Sequence, residues 1–255
     1  MDEKIYIQTV YIPRENILFI EEWLSHHKSL GVDEFYMYDN SGSRYLDFVG
    51  NLEINGLDKQ GNPVIENTKN LSDEDIRNME DEIFKKYNAK RIKWSPIGYD
   101  GNITYDQVGA IYDFIKKVDG GFCCFIDIDE FIFLKEEKNL KDYIKSMYDE
   151  TKQGILIQQK RYESRWSSPK NVLFIDRTFY IDTTYWAPKI IANINKIKIK
   201  NNTNIHTFID DFVLDKNKCY FKHFNHNIHV HNWLLENYRS LDSNWVPKNF
   251  NEVWD

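Results

Sequence analysis

The sequence contains few cysteines, and their spacing argues against a disulfide framework. Only three occur among 255 residues: Cys123 and Cys124 are adjacent, and Cys219 is distant from both. An odd number of cysteines without regular spacing is typical of a reducing compartment and not of a small secreted domain. The acidic start of the chain also lacks the apolar segment of a secretory leader. We therefore expect a cytoplasmic protein.

Long apolar runs and an excess of basic residues are missing as well. No apolar segment reaches the roughly 18 residues that indicate a membrane-spanning helix, so we expect no membrane span. The 33 basic residues are outnumbered by 40 acidic ones, which gives a net charge of −7. Because nucleic-acid-binding proteins usually carry a basic surface, we expect no nucleic-acid partner. A small phosphorylated ligand would need only a local basic patch.

Apolar residues and their periodicity predict a single α/β domain. Hydrophobic residues make up 42% of the chain and aromatic residues 15%, which is enough for a sizeable core. Strand-like segments at 4–12 and 34–40 flank a helical pattern at 15–31, and this β-α-β order is typical of a parallel sheet. We expect a mixed, mostly parallel central sheet flanked by helices. Further helices are predicted at 72–87, 104–118, 139–150 and 232–241.

Three acidic residues lie inside an otherwise apolar segment, "GGFCCFIDIDEFIFL" at 120–134. They are Asp127, Asp129 and Glu130, and they follow a predicted buried strand. Because burying an unpaired carboxylate is costly, a positive charge is expected beside them. The carboxyl ends of strands in open α/β sheets are also where ligands bind.

A divalent metal is one candidate for that positive charge. Asp127 and Asp129 are two residues apart, so on a strand they would share a face and could converge on one cation. Mg²⁺ and Mn²⁺ prefer such oxygen ligands, and Mg²⁺ commonly adds substrate phosphates. The alternative is that a D-x-D pair arises by chance on an exposed turn, and the apolar surroundings favour the metal.

Two blocks of the sequence, 19–43 and 125–133, resemble glycosyltransferase family 92 and related family-2-like transferases. The first holds Glu22-Trp23, Gly31-Val32 and Tyr38-Asp39-Asn40, and the second holds the acids with Phe131. Weaker similarity surrounds Gln107, Lys189, His206 and His226. The resemblance implies a single GT-A (Rossmann-like) domain. Residues 1–135 would be its nucleotide-sugar-binding half, and residues 136–255 its acceptor-binding half.

The resemblance also implies a metal-dependent, inverting transfer of a sugar to a glycan or glycoconjugate acceptor. The donor would be a nucleotide-diphosphate sugar, with a UDP-sugar favoured. Asp127, Asp129 and His226 would hold Mn²⁺ or Mg²⁺. The nucleotide sugar would be bound by Tyr11, Arg14, Glu15, Asp39, Asn40, Gln107 and Lys189.

Inversion needs a carboxylate base that deprotonates the acceptor hydroxyl. Four aspartates lie in the acceptor half: Asp176, Asp182, Asp210 and Asp211. The sequence favours Asp210 or Asp211 only weakly.

Several of these residues also have structural explanations. Asp39 is suited to capping the turn that follows its strand, and Gln107 to a capping box with Thr104. His27 lies on the apolar face of a helix, where a hydrogen-bonded core histidine is commoner than a ligand. Glu130 is suited to bonding backbone groups beyond the strand.

Two other functions compete with sugar transfer. The segment "HFNHNIHVH" at 223–231 holds four of the seven histidines and, with the acids, would suit a His/Asp metallohydrolase. A non-catalytic sugar-binding module of the same fold is the other alternative.

Overall fold

The computed structural model describes residues 3–17, 20–42, 55–57, 63–65, 71–164, 178–181, 187–198, 206, 208–215 and 218–225. The strands are β1 Ile5–Tyr11, β2 Glu34–Asp39, β3 Asn55–Leu57, β4 Pro63–Ile65, β5 Ala89–Lys93, β6 Phe122–Phe125, β7 Glu130–Leu134, β8 Gly154–Ser164, β9 Thr178–Ile181, β10 Lys189–Asn193, β11 Phe212–Leu214 and β12 Cys219–Asn225. The helices are α1 Pro13–Asn16, α2 Ile20–Ser29, α3 Asp73–Tyr87, α4 Gln107–Ile115 and α5 Leu140–Met147, with a 3-10 turn at Ile194–Lys196.

The central sheet is mixed and mostly parallel, which confirms the predicted fold class. Its strands follow the order β5-β2-β1-β6-β10-β8-β12-β7, and β11 and β9 also pair with β8. The first four strands are parallel to one another, whereas β10 runs antiparallel between β6 and β8. Strands β3 and β4 form a separate antiparallel pair.

Helices cover both faces of the sheet and bury β1 and β6 completely. One core contains Trp23 of α2, Phe84 of α3 and Tyr143 of α5. The other contains Ile111 and Phe114 of α4. A parallel strand covered on both faces reads as a nearly continuous apolar run, which is the pattern of β6 in the sequence.

Strand β8 links two parts of the sheet. Its residues 154–157 pair with β10, whereas residues 158–163 pair with β12. This change of partner brings β12 alongside β7, the strand that follows the acidic residues. The long β8 strand therefore carries residues of the second half of the chain to the carboxyl end of β6.

Local signals predicted most elements, with three corrections. The helix predicted at 15–31 is divided into α1 and α2. The helix predicted from residue 104 starts at Gln107 instead, because Asp106 caps it by accepting a hydrogen bond from the Gly109 N–H. The strand predicted at 121–129 ends at Phe125.

Two further expectations concern helices. The helix predicted at 72–87 corresponds to α3, which Ser72 caps in a reciprocal capping box with Asp75. The helix predicted at 232–241 lies outside the described residues. Within the described part of the chain, no helix is long and apolar enough to cross a membrane.

Candidate functional site

The acidic residues form a closed turn between β6 and β7, which we call the acid turn (residues 127–130). The Glu130 N–H donates to the Asp127 carbonyl oxygen at 3.0 Å. The Asp127 N–H in turn donates to the Glu130 carboxylate at 2.8 Å. Glu130 therefore has the structural role that its position suggested. The prediction that Asp127 and Asp129 share a strand face is wrong, because β6 ends before them.

A buried lysine supplies positive charge to the acid turn. The Lys189 Nζ lies 2.6 Å from Asp127 Oδ2 and 3.3 Å from Glu130 Oε2, and its side chain is only 2% exposed. Lys189 is the first residue of β10, which runs antiparallel beside β6 and so begins where β6 ends. Burial alone would lower the pKa of Lys189, but attraction to Asp127 and Glu130 outweighs burial and raises it. The lysine is therefore held as a cation.

Gln107 bonds the other oxygen of the same carboxylate. Its Nε2 donates to Asp127 Oδ1 at 2.6 Å. The capping-box explanation of Gln107 is wrong, because Asp106 occupies the capping position and directs Gln107 into the first turn of α4. Both carboxylate oxygens of Asp127 thus accept a hydrogen bond from a protein donor.

A histidine of β12 faces the other acids of the turn. The register pairs His223 directly with Glu130 across β7 and β12. His223 Nε2 lies 3.2 Å from Asp129 Oδ2, and its Nδ1 contacts the Gln159 side chain. Burial lowers the pKa of His223, but Asp129 beside it more than compensates, so the pKa is raised.

Sequence reasoning placed a histidine of this segment at the site but favoured His226, which lies outside the described residues. The sequence offered no local signal for His223 or Gln159, because their approach depends on how β8 and β12 pair. His206, another weakly matched residue, lies next to Lys189 and bonds the Pro188 carbonyl oxygen through Nδ1 at 3.0 Å.

The carboxylates of the acid turn repel one another when they are ionised. Burial, together with Asp127 and Asp129, raises the pKa of Glu130 to about 7, although Lys189 and His223 oppose the shift. Three carboxylates and two basic side chains leave the cluster with negative charge whenever all three acids are ionised. A divalent cation would complement that charge.

Two side chains at the acid turn are candidates to hold a metal ion. Among the described residues, no group of three His, Cys, Asp or Glu side chains is placed to hold a metal ion. Asp129 and His223 nevertheless offer an oxygen and a nitrogen ligand close together. Mg²⁺ and Mn²⁺ sites of this kind complete their coordination with water and substrate phosphates.

Asp39 and Asn40 lie at the carboxyl end of β2, and both are bonded within the protein. Asp39 Oδ2 is 2.7 Å from Arg77 Nη1, and Asp39 Oδ1 accepts from the Ser41 N–H at 3.0 Å. The second bond is the turn-capping role expected for Asp39. Asn40 Nδ2 donates to the carbonyl oxygens of Trp94 and Thr104 at 3.0 and 3.1 Å. Sequence reasoning did not identify Arg77.

The other predicted nucleotide-binding residues lie at or just after the carboxyl end of β1. Tyr11 is fully buried and packs edge-on against Phe84, so its ring is not open to a ligand. Arg14 donates to the Leu71 carbonyl oxygen at 3.0 Å and forms an ion pair with Asp73. Glu15 belongs to α1, and the described structure does not include its side chain.

The two candidate bases lie at the opposite end of the strands from the acid turn. Asp210 and Asp211 are exposed and precede β11, and the Asp211 carbonyl oxygen accepts from the Gln153 N–H at 2.7 Å. That position is level with the amino end of β6, more than about 10 Å of strand from the acid turn. The structure therefore does not bring these carboxylates to the site. Asp176 and Asp182 lie outside the described residues.

Several solved structures resemble the chain at low identity. S. aureus TarS is 15% identical with a TM-score of 0.43, and the match covers 87% of this chain and 36% of that one. S. aureus TarS 1-349 in complex with UDP is 16% identical, with a TM-score of 0.42 and coverage of 87% and 60%. UDP-glucose pyrophosphorylase complexed with UDP-glucose is 11% identical, with a TM-score of 0.35 and coverage of 93% and 100%.

The chain spans only 36% and 60% of the two TarS chains. No curated protein sequence matches it. The model of the family described as glycosyltransferase family 92 matches residues 117–253, a segment that includes the acid turn, Lys189 and His223. Because this match covers more than half of the sequence, the chain belongs to glycosyltransferase family 92.

Proposed function

We propose that this protein transfers a sugar from a nucleotide-diphosphate sugar to a glycan or glycoconjugate acceptor. The observation that carries the proposal is the acid turn at the carboxyl end of β6, with Lys189 buried behind it. Ligands of open α/β sheets bind at this edge. Membership of glycosyltransferase family 92 supports the reaction class. A UDP-sugar is the donor to test first.

The proposed reaction depends on a divalent metal at the acid turn. Asp129, with His223 beside it, would hold Mn²⁺ or Mg²⁺ together with the donor's diphosphate. When bound, the metal would neutralise the charge that develops on the leaving phosphate. A metal-bound imidazole must be neutral, so His223 would serve as a ligand only without its proton.

The chain's own residues would hold this site in shape before the donor binds. Lys189 and Gln107 fix the two oxygens of Asp127. Glu130 closes the turn through the Asp127 N–H and so sets where Asp129 projects. Such preorganisation lowers the cost of orienting charged groups during the reaction.

We propose a direct displacement with inversion, in which a base in the acceptor half deprotonates the attacking hydroxyl. Asp210 and Asp211 are not part of this proposal because they lie at the opposite end of the strands from the acid turn. The proposed location is the cytoplasm, and the burial of all three cysteines as free thiols is consistent with it.

Thermal unfolding with nucleotide sugars provides the test. The melting temperature would be measured with UDP-, GDP- and dTDP-sugars, each with and without Mn²⁺, because a ligand that binds the folded state raises it. We expect a rise that needs both Mn²⁺ and one nucleotide and that disappears in Asp129→Asn. Product analysis with the stabilising donor would then show whether its sugar is transferred.

The competing functions predict different results. A metallohydrolase would be stabilised by Mn²⁺ alone, in a manner that depends on His226 or His229. A non-catalytic module would bind a sugar but would neither bind nor consume the nucleotide sugar. Either result would reject the transferase proposal.

A further inference from the structure

Among the described residues, strand β7, which follows the acid turn, pairs only with β12 along one edge and faces α2 along the other. An edge strand presents unpaired N–H and C=O groups, which proteins must cover or satisfy in some other way. Along β7 the covering groups come from a helix. The positions involved are Trp23, His26 and His27, which we call the helix clamp.

Three hydrogen bonds join the helix clamp to the backbone of β7. The Trp23 Nε1–H donates to the Glu130 carbonyl oxygen at 2.8 Å. The His26 Nε2–H donates to the Ile132 carbonyl oxygen at 2.7 Å, and the Ile132 N–H donates to His27 Nε2 at 3.2 Å. The side chains of α2 therefore satisfy the outward backbone groups of alternate strand residues, as a neighbouring strand would.

Helical spacing makes this arrangement possible. Positions i, i+3 and i+4 lie on one face of a helix, so Trp23, His26 and His27 can all reach one strand. The other ring nitrogen of His27 is also hydrogen-bonded, since its Nδ1–H donates to the Trp23 carbonyl oxygen at 2.8 Å. Its tautomer is thus fixed with Nε2 as acceptor, and burial lowers its pKa so that the ring stays neutral.

The helix clamp is connected to the acid turn by Glu130, whose carbonyl oxygen accepts a hydrogen bond from Trp23. The Glu130 side chain accepts from the Asp127 N–H and lies 3.3 Å from Lys189. A shift of the Glu130 backbone would move this carboxylate, and with it the bond that closes the turn. The clamp lies outside the family-model match, which starts at residue 117.

We propose that Trp23, His26 and His27 are positioning residues for the acid turn. They act on the proposed transfer reaction only through Glu130, and none of them touches donor or metal. This inference rests on the proposed function of the acid turn, but the hydrogen bonds to β7 can be tested without it.

The first experiment compares a bond-breaking variant with a matched control. His26→Phe keeps an aromatic ring beside Phe131 and Phe133 but removes the donor to Ile132, whereas His26→Gln retains a donor. Leu24→Ala is the control, because Leu24 is equally part of α2, is fully buried and has no polar side-chain group. Calorimetry would measure the affinity for UDP in the presence of Mn²⁺, and initial rates would give kcat and KM, at temperatures where every variant is folded.

We expect His26→Phe to weaken UDP–Mn²⁺ binding or lower kcat by about tenfold, the low end of the range for groups that orient metal ligands. His26→Gln should restore both to within about threefold of the wild type. Leu24→Ala should change neither by more than about twofold, even where it lowers the melting temperature further. If the losses follow the melting temperature across all three variants, the clamp is only structural and the proposal is overturned.

Hydrogen exchange separates this inference from the function. The Ile132 amide should lose protection in His27→Phe and keep it in Leu24→Ala, whether or not the protein is a transferase. Unchanged protection in His27→Phe would overturn the clamp. A wild type that binds no nucleotide but shows the expected exchange would reject the proposed function and leave the hydrogen bonds of the clamp confirmed.

Discussion

Replacing Lys189 by methionine would remove the cation from the acid turn while keeping a side chain of similar length. Glu130 is 1% exposed and, when ionised, would be left in the core without that cation, whereas the Asp127 side chain is 26% exposed and can be partly hydrated. Breaking a buried ion pair costs about 3–5 kcal/mol. Because water reaches Asp127, we expect the lower end, about 3 kcal/mol. For a domain of this size that is a fall in melting temperature of roughly 6–12 °C.

The loss of unfolding free energy in Lys189→Met should depend on pH because Glu130 can take up a proton. Its pKa is raised from 4.5 to about 7 in the folded protein, mainly by burial. The folded state therefore binds this proton more tightly than the unfolded state, and stability falls as the pH rises from 4.5 through 7. Without the Lys189 cation the pKa would rise further, and the loss would extend above pH 7. The destabilisation should be smallest near pH 5.5 and largest near pH 8.5.

Urea unfolding of the wild type and Lys189→Met at pH 5.5, 7 and 8.5 would measure this. The matched control is Lys152→Met, whose partner Asp211 is 62% exposed, so the change should stay within about 0.5 kcal/mol. Adding Asp127→Asn to Lys189→Met should recover part of the loss, because one carboxylate no longer needs a cation. An equal loss at all three pH values, or no recovery in the double variant, would refute the charge argument.

Four further predictions test other parts of the molecule. Asp211→Asn should leave any transfer rate within about twofold of the wild type, since this residue is exposed at the far edge of the sheet; a large loss of rate would return it to the list of bases. Gly121→Ala should destabilise by about 2 kcal/mol or more in urea unfolding, because the backbone has φ +98° and the new Cβ would lie 2.5 Å from the Lys4 carbonyl oxygen. Ser72→Ala should cost about 1 kcal/mol by removing the cap of α3. Since the pKa of His27 lies well below its usual 6.5 in the folded protein, stability present above about pH 6.5 should be lost as the pH falls, and His27→Gln should flatten that dependence between pH 7 and 5.

The architecture of the first half was predictable because its signals are local. The apolar face of α2 follows from residues within two turns of each other, and α3 begins within one residue of the helix predicted at 72–87. The β-α-β order also needs no distant partner. The local signal at Gln107 was misleading, because Asp106 and not Thr104 caps α4 in the folded chain.

The acid turn shows where periodicity stops being informative. An apolar run with two acids at alternate positions matches a strand, so the sequence predicted β6 to extend through Asp129. The chain turns instead because the Glu130 carboxylate accepts from the Asp127 N–H, a bond that closes the turn. A carboxylate that closes a turn and one that binds a ligand have the same sequence pattern, and their contacts alone distinguish them.

The partners of the acids could not be deduced from the sequence, since they depend on strand register. Charge considerations did require a cation beside the buried carboxylates. A metal and a lysine both satisfy that requirement, and Lys189 is separated from Asp127 by 62 positions in the chain. The sequence does not distinguish among the four histidines at 223–231. The pairing of β12 with β7 places His223 opposite Glu130. A shift of one residue in that register would turn His223 to the other face of the strand, so the choice between it and its neighbours is made by the fold.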